Sequence, residues 1–164
     1  MEASRLRVAL DANVLIAGVR LPRWPYEVLR AALNGYFELV LPAQVIEEAR
    51  RHLPLPPQAA ALTAFLEGSQ PEIRPMPALD EVRAQLTLVR SVKDIPIAIS
   101  LLNGEVDIFV TNDRDFSDPV ATEPRFHQHV RVMLPAVFLR QVVGWSPEAL
   151  EAIRNRRWDD LVDA

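Results

Sequence analysis

The stretch Asp94–Phe116, which reads DIPIAISLLNGEVDIFVTNDRDF, decides the fold of this chain of 164 residues. Its first part, Asp94–Asn103, is apolar and is closed by Gly104, which predicts a buried helix. Its second part, Asp107–Thr111, is a short apolar run, which predicts a buried strand. A buried helix followed by a buried strand is typical of α/β domains with a parallel sheet.

The rest of the chain repeats this alternation of strands and helices. Further strands are predicted at Leu6–Leu10, Phe37–Leu41, Glu72–Met76 and Val130–Leu134. Further helices are predicted at Tyr26–Asn34, from Pro42 as first residue to Leu53, at Gln58–Glu67 before Gly68, and at Leu79–Val89, Pro135–Val143 and Ser146–Arg154. We therefore expect a three-layer α/β/α domain with a parallel sheet of four or five strands. No repeat or linker interrupts the pattern, so we expect one domain over residues 1–164, its core at about 6–143 and a C-terminal helix at about 146–157.

The composition excludes several classes of protein. Hydrophobic residues make up 49% of the chain and charged residues 24%, which are proportions of a globular domain rather than of a disordered or fibrous chain. The chain has no cysteine, which excludes disulfide scaffolds, thiolate metal sites and cysteine nucleophiles. Because it has only three histidines, any metal would be held mainly by oxygen atoms.

Charge and hydropathy bear on partners and location. The net charge of −4 argues against a protein that coats nucleic acid by bulk electrostatics, although an enzyme can still hold nucleic acid in one cleft. The longest apolar stretches are too short to span a bilayer, and Met1–Arg7 lacks the pattern of a secretory signal. We therefore expect a cytoplasmic protein with no membrane segment.

Acidic residues follow two of the predicted strands. Asp11 comes directly after the first strand, and Asp113 and Asp115 come just after the fourth. The helix that begins at Asp94 advances roughly 14 Å, and the next strand returns roughly 13 Å, so Asp113 lies at about the level of Asp94. If the first and fourth strands are neighbours, Asp11, Asp94 and Asp113 meet at the carboxyl edge of the sheet, where α/β proteins bind ligands.

Three carboxylates at one edge would repel one another unless a cation compensates their charge. Mg²⁺ or Mn²⁺ is the expected cation because both favour oxygen ligands. Glu48 is the next candidate ligand, although spacing alone does not select it over Glu47. Such a cluster suits phosphodiester hydrolysis, and the chain has neither a glycine-rich phosphate loop nor a nucleophile elbow.

Each acid also has an ordinary explanation. Asp94 can cap its helix, and Asp11 and Asp113 can be turn residues that follow strands. Glu48 alone is typical of a solvated helix residue. The metal site is favoured by the joint pattern, in which the acids occur in order and converge on one edge.

Three segments carry a family resemblance. Val8–Ile16 (VALDANVLI), Glu38–Ala49 (ELVLPAQVIEEA) and Asp94–Phe116 resemble the successive motifs of the PIN-domain nucleases. That family includes VapC-like toxins of toxin–antitoxin pairs and PilT N-terminus-like ribonucleases. The family's acidic quartet then falls on Asp11, Glu48, Asp94 and Asp113.

The resemblance implies roles for further residues. Asp115 matches an additional acidic position, so the metal set is Asp11, Asp94, Asp113 and Asp115, with Glu48 completing or bridging the site. Asn13 matches a residue that orders the first carboxylate, and Thr111 matches a hydroxyl residue at the end of the fourth strand. Two positions depart from the family pattern: Ala12 stands where Thr or Ser is frequent, and Pro42 stands where Ser or Thr often caps the helix.

The function implied by the resemblance is that of an endoribonuclease dependent on Mg²⁺ or Mn²⁺, which leaves a 3′-hydroxyl and a 5′-phosphate. It also implies a homodimer and, for a toxin, a small antitoxin protein as partner. Two alternatives stay open: a PIN-like RNA-binding or regulatory module that does not cleave, and a metal-dependent phosphatase of another α/β family, whose motifs the chain lacks.

Basic and apolar residues suggest contact surfaces. Arg20 and Arg23 are favoured as substrate-side residues because they follow the first strand, and Arg114 either contacts substrate or holds the acidic loop together. The basic segment 154–158 is more typical of a solvated helix or a partner contact than of an RNA site. The apolar faces at Leu29–Leu33 and Val45–Leu53 are candidate dimer surfaces, although both could equally belong to the core.

Overall fold

Five strands form one parallel sheet within residues 5–162, the part of the chain that this computed structural model describes. The strands are β1 (Arg7–Leu10), β2 (Glu38–Pro42), β3 (Glu72–Arg74), β4 (Ile108–Val110) and β5 (Arg131–Met133). Their order in the sheet is β3-β2-β1-β4-β5. The central strand β1 pairs through Ala9 with Val40 of β2 on one side and with Phe109 of β4 on the other.

Helices connect the strands. Those of the described residues are α1 (Ala12–Arg20), α2 (Trp24–Leu33), α3 (Ala43–Arg51), α4 (Pro56–Ser69), α5 (Leu79–Arg83), α6 (Ile95–Asn103), α7 (Arg114–Ser117), α8 (Pro124–His129), α9 (Pro135–Phe138), α10 (Pro147–Ala152) and α11 (Asp159–Val162). A 3₁₀ turn at Val92–Asp94 precedes α6, and a π-helical turn at Leu139–Val143 follows α9. The helix α6 and the cap of α10 by Ser146 agree with the sequence pattern.

The sheet is covered on both faces. Val8, Ala9 and Leu10 of β1 are all fully buried, although successive side chains of a strand point to opposite faces. The helices α1 to α4 and α9 pack with one another, and α6 packs against α5 and α8. This arrangement confirms the expected three-layer α/β/α fold with a parallel sheet.

The helix expected over Leu79–Val89 is much shorter in the structure. It ends at Arg83, and turns follow it up to Leu88. Val89 forms an isolated antiparallel bridge with Thr122, and both residues are buried. Pairing with this distant segment replaces the helical hydrogen bonds that the apolar spacing predicted.

Other boundaries differ for local reasons. The sequence pattern did not predict the helix α1.

Pro42 is the last residue of β2 and the N-cap of α3 rather than its first residue. Gly68 lies inside α4, where an added Cβ would lie 2.9 Å from Cδ2 of Leu33. The helix instead ends beyond Ser69, at Gln70, whose φ is 47°.

The two apolar helix faces considered as dimer surfaces belong largely to the core. Leu29 is buried, as are four residues of the second face, which are Val45, Ile46, Ala49 and Leu53. Leu33 remains 47% exposed. Among the helices of residues 5–162, none is both long and apolar enough to cross a membrane.

The C-terminal segment packs against the connection between α1 and α2. The guanidinium of Arg156 lies 2.6 Å from the carboxylate of Glu27, which is 6% exposed, and also donates to the carbonyl of Pro22. The indole N–H of Trp158 donates to the carbonyl of Arg20 at 2.9 Å. The segment 154–158 forms turns rather than the expected helix and, apart from Arg156, remains exposed.

The Glu27→Gln variant is expected to destabilise the fold by about 2 kcal/mol, because it leaves the largely buried Arg156 without its counter-charge. Urea unfolding followed by circular dichroism measures this loss. Glu67→Gln, an exposed position in α4, is the matched control and is expected to change stability little. Equal stabilities for the two variants would contradict a structural role for the ion pair.

Candidate metal centre

Three carboxylates of the candidate site stand where elements begin or end. Asp11 follows β1 and is the N-cap of α1, and Asp113 follows β4 and is the N-cap of α7. Asp94 ends the 3₁₀ turn and is the N-cap of α6. Because β1 and β4 are neighbouring parallel strands, their carboxyl ends bring Asp11 and Asp113 to the same edge of the sheet.

A buried hydroxyl links the ends of the two strands. The hydroxyl of Thr111 donates to Oδ2 of Asp11 at 2.6 Å and accepts from the backbone N–H of Asp113 at 2.9 Å. Oδ1 of Asp11 accepts from the backbone N–H of Ala12 at 2.8 Å. Both oxygens of Asp11 therefore have protein partners, and its orientation is set by groups on β4 and α1.

Asn13 supports the same arrangement. Its side-chain N–H₂ donates to Asp11 at 3.2 Å and to Thr111 at 3.3 Å, and its carbonyl oxygen accepts from the backbone N–H of Asn112. The hydrogen bond to Asp11 fits the role that the resemblance implies for Asn13, which is to order the first carboxylate. The amide holds the loop after β4 against the start of α1.

The tightest acidic cluster consists of Asp94, Asp113 and Asp115. One carboxylate oxygen from each lies within 4.8 Å of the other two. Asp94 is only 6% exposed, and its Oδ2 is buried without a hydrogen-bond partner in the described structure. A buried carboxylate oxygen that no protein donor satisfies fits a site that can hold a cation.

The surroundings of Asp94 and Asp11 disfavour their ionised forms. Burial, reinforced by the charges of Asp113 and Asp11, raises the pKa of Asp94 to about 7. Burial also raises the pKa of Asp11 to about 6, although the hydrogen bond from Thr111 acts in the opposite direction. Bringing these carboxylates together in ionised form therefore costs free energy that a bound cation would offset.

Glu48 lies at the border of this cluster. It is half-buried on α3, and its charge adds to the effect of burial on the pKa of Asp11. The neighbouring Glu47 is exposed. The fold therefore distinguishes two glutamates that spacing alone could not separate.

Arg90 is a site residue that the sequence reasoning missed. Its guanidinium lies 2.5 Å from Oδ1 of Asp115. Within residues 5–162, no other cation forms an ion pair with any acidic residue of the site. These acidic residues are Asp11, Glu48, Asp94, Asp113 and Asp115. The two residues are 25 positions apart in the sequence and lie in different segments, so no helix or strand spacing predicts their contact.

Of the three arginines predicted to contact substrate, two donate hydrogen bonds to backbone carbonyls and the third is exposed. Arg20 donates to the carbonyl of His52 at 2.7 Å, and Arg23 donates to the carbonyl of Arg156 at 3.1 Å. Arg114 is exposed on α7. Asp115 is held by Arg90, so Arg114 is not the cation that pairs with the acidic loop.

Helix capping by a side chain, which the sequence suggested for Asp94, is found at Asp11 and Asp113 instead. Asp11 and Asp113 each accept a hydrogen bond at the helix start that they cap. Asp94 makes no capping bond through its side chain. Its orphaned oxygen, together with a donor set made only of carboxylates, fits Mg²⁺ or Mn²⁺.

Comparison with known proteins bears on the fold. No protein-family model matches the chain, and no curated protein matches it. Among solved structures, the chain is similar to the crystal structure of PAE2754 from Pyrobaculum aerophilum, with a TM-score of 0.56 and 17% sequence identity. The similarity covers 85% of this chain and 98% of that chain. At this level of identity, the likeness shows a common α/β architecture.

The Asp94→Asn variant is expected to stabilise the metal-free protein at alkaline pH. Because the pKa of Asp94 is raised on folding, the folded protein holds a proton that the unfolded chain has released between about pH 4 and about pH 7. Stability therefore falls across this interval, and the full penalty persists above it. The neutral amide removes a penalty on the order of 2 kcal/mol at about pH 8 and little at about pH 4.5.

Urea unfolding in chelator at these two pH values measures the difference. Asp80→Asn, which removes an exposed acid from α5, is the control and is expected to change stability equally little at both. A gain for Asp94→Asn that is independent of pH would show that the ionisation of Asp94 is not its cause.

Proposed function

We propose that this chain is an endoribonuclease that depends on Mg²⁺ or Mn²⁺ and hydrolyses RNA phosphodiester bonds. The observation that carries the proposal is the cluster of Asp94, Asp113 and Asp115, with an unpartnered buried oxygen on Asp94. It lies at the carboxyl edge of a parallel sheet, where α/β enzymes bind their substrates. The resemblance of the three motifs to PIN-domain nucleases selects RNA as the substrate.

The residues of the cluster would hold the cation. Asp94, Asp113 and Asp115 would supply carboxylate oxygens, with Asp11 and Glu48 adding negative charge from beside them. A bound divalent cation would supply the activation of water and the neutralisation of charge on the phosphate. Thr111 and Asn13 would keep Asp11 in a fixed orientation, so its negative charge would stay beside the ligands when a cation binds.

Two partners belong to the proposal through the resemblance to VapC-like toxins. One is a small antitoxin protein that would block the acidic cleft, and the other is a second copy of the chain in a homodimer. A cytoplasmic location belongs to the same proposal.

Purified protein is expected to cleave RNA with Mg²⁺ or Mn²⁺ and to lose this activity in chelator. Asp94→Asn and Asp113→Asn, purified identically, are expected to lower cleavage by at least about a hundredfold, because each removes a ligand from the cluster. Gel electrophoresis of end-labelled RNA measures the rate. Cleavage by either variant at the wild-type rate would mean that a contaminating ribonuclease or another site is responsible.

Glu48 and Glu47 provide a matched pair of variants for the same assay. Glu48→Gln is expected to reduce cleavage by about tenfold or more, because it removes a charge beside Asp11. Glu47→Gln alters an exposed neighbour and is expected to cleave normally. Equal rates for both would exclude Glu48 from the site.

Metal binding can be tested without any substrate. Mn²⁺ at about a hundred times its dissociation constant is expected to stabilise the wild type by about 2.7 kcal/mol, since it binds only the folded state. Asp94→Asn is expected to lose most of this stabilisation. Stabilisation by Mn²⁺ without cleavage of any RNA would favour the binding or regulatory module, whereas hydrolysis of a chromogenic phosphomonoester would favour a phosphatase.

A further inference from the structure

A groove of about 550 Å³ runs along the exposed side of α1, and we call it the α1 groove. Asn13, Ile16, Ala17 and Arg20 line it on α1, and Trp24 and Arg154 line it on the other side. We infer that the α1 groove binds an unpaired nucleotide of the RNA next to the cleaved phosphate. This inference rests on the proposed ribonuclease function.

The helix α1 presents two different faces. Residues 13, 16, 17 and 20 follow one another at the spacing of a single helix face and are half-buried or exposed. The opposite face, which includes Val14 and Leu15, is fully buried in the core. The apolar middle of the groove, at Ile16 and Ala17, is therefore left uncovered by the described part of the chain.

One end of the groove belongs to the acidic site. Asn13 lines the groove and also donates to Asp11 and Thr111. Arg20 stands seven residues further along the helix, which is roughly 10 Å from Asn13. An RNA strand whose phosphate lies at the carboxylates would therefore have its next nucleotide over the apolar floor.

The chemistry of the walls matches a nucleotide. The guanidinium of Arg154 lies over the Trp24 ring, 5.2 Å from its centre, and forms an ion pair with Glu151 at 2.9 Å. The Trp24 ring supports this guanidinium from one side, so a base would stack on the other side of the guanidinium. Arg20 and Arg23 also line the groove, and neither forms an ion pair with a carboxylate among residues 5–162. These two arginines, in a chain with net charge −4, complement the phosphates of an RNA strand.

The groove is held in shape by contacts within the chain. The indole N–H of Trp24 donates to the carbonyl of Leu150 at 2.9 Å. The side chains of Arg20 and Arg23 donate to the carbonyls of His52 and Arg156. A preformed site loses less conformational entropy when a flexible strand binds.

Fluorescence anisotropy with labelled oligouridylate and oligoadenylate tests the groove. The titrations are made in chelator, which prevents metal-dependent cleavage. Arg20→Ala and Arg154→Ala are each expected to weaken binding by about tenfold. Arg20→Ala is also expected to reduce the salt slope by about 0.7, as for one lost phosphate contact on a single strand, whereas the loss of the stacking group in Arg154→Ala is expected to change the slope less. Arg140→Ala, an exposed arginine outside the groove, is the matched control and is expected to bind as the wild type does.

Cleavage kinetics of the same oligonucleotides in Mn²⁺ give a second readout. The groove variants are expected to raise KM by about tenfold, with a smaller change in kcat, because they contact the nucleotide and not the reacting phosphate. Thermal unfolding checks that each variant folds.

Three outcomes would overturn the inference. The first is that the wild type binds neither oligonucleotide. The second is that the groove variants bind as tightly as Arg140→Ala. The third is that light scattering shows a change in oligomeric state in the groove variants alone. The last outcome would show that a second protein chain covers the groove. Arginine-dependent binding without cleavage would support the groove as an RNA site and contradict only the proposed ribonuclease activity.

Discussion

The pairing of β1 with β4 is the constraint on which the candidate site depends. The two strands run parallel as neighbours, so the residues that follow them reach the same edge of the sheet. The hydroxyl of Thr111 then joins the two chain segments by bonding both Asp11 and the backbone of Asp113. A shift of one residue in this register would turn the alternate side chains to the other face and separate these groups.

The site illustrates an opposition between stability and function. The surrounding core is apolar and fully packed, and it desolvates Asp94 and Asp11 enough to raise the pKa of both carboxylates. Among the acids of the site, and within residues 5–162, Asp115 alone forms an ion pair, with Arg90. Keeping these carboxylates ionised costs folding free energy when no cation is bound. A divalent cation would offset this cost, and the carboxylate oxygens are already gathered as its ligands.

Much of the fold could be predicted from hydrophobic patterning. The five strands and the helix α6 lie close to their expected places. The central strands β1, β2 and β4 could be found because buried parallel strands read as continuous apolar runs. The helix α1 was missed, and α5 was overestimated because Val89 pairs with Thr122. Tertiary pairing overrode the local apolar spacing there, and no local signal announces such a pairing.

The sequence by itself determined the α/β class, the mainly oxygen ligands of any metal site and the order of its acids along the chain. Only the tertiary structure decided which acids approach one another, because distances between residues far apart in sequence depend on how the strands pair. It placed one carboxylate oxygen each of Asp94, Asp113 and Asp115 within 4.8 Å of one another, and it placed Arg90 beside Asp115. It also left one face of α1 uncovered next to the acids, since the exposure of a helix face depends on what packs against it.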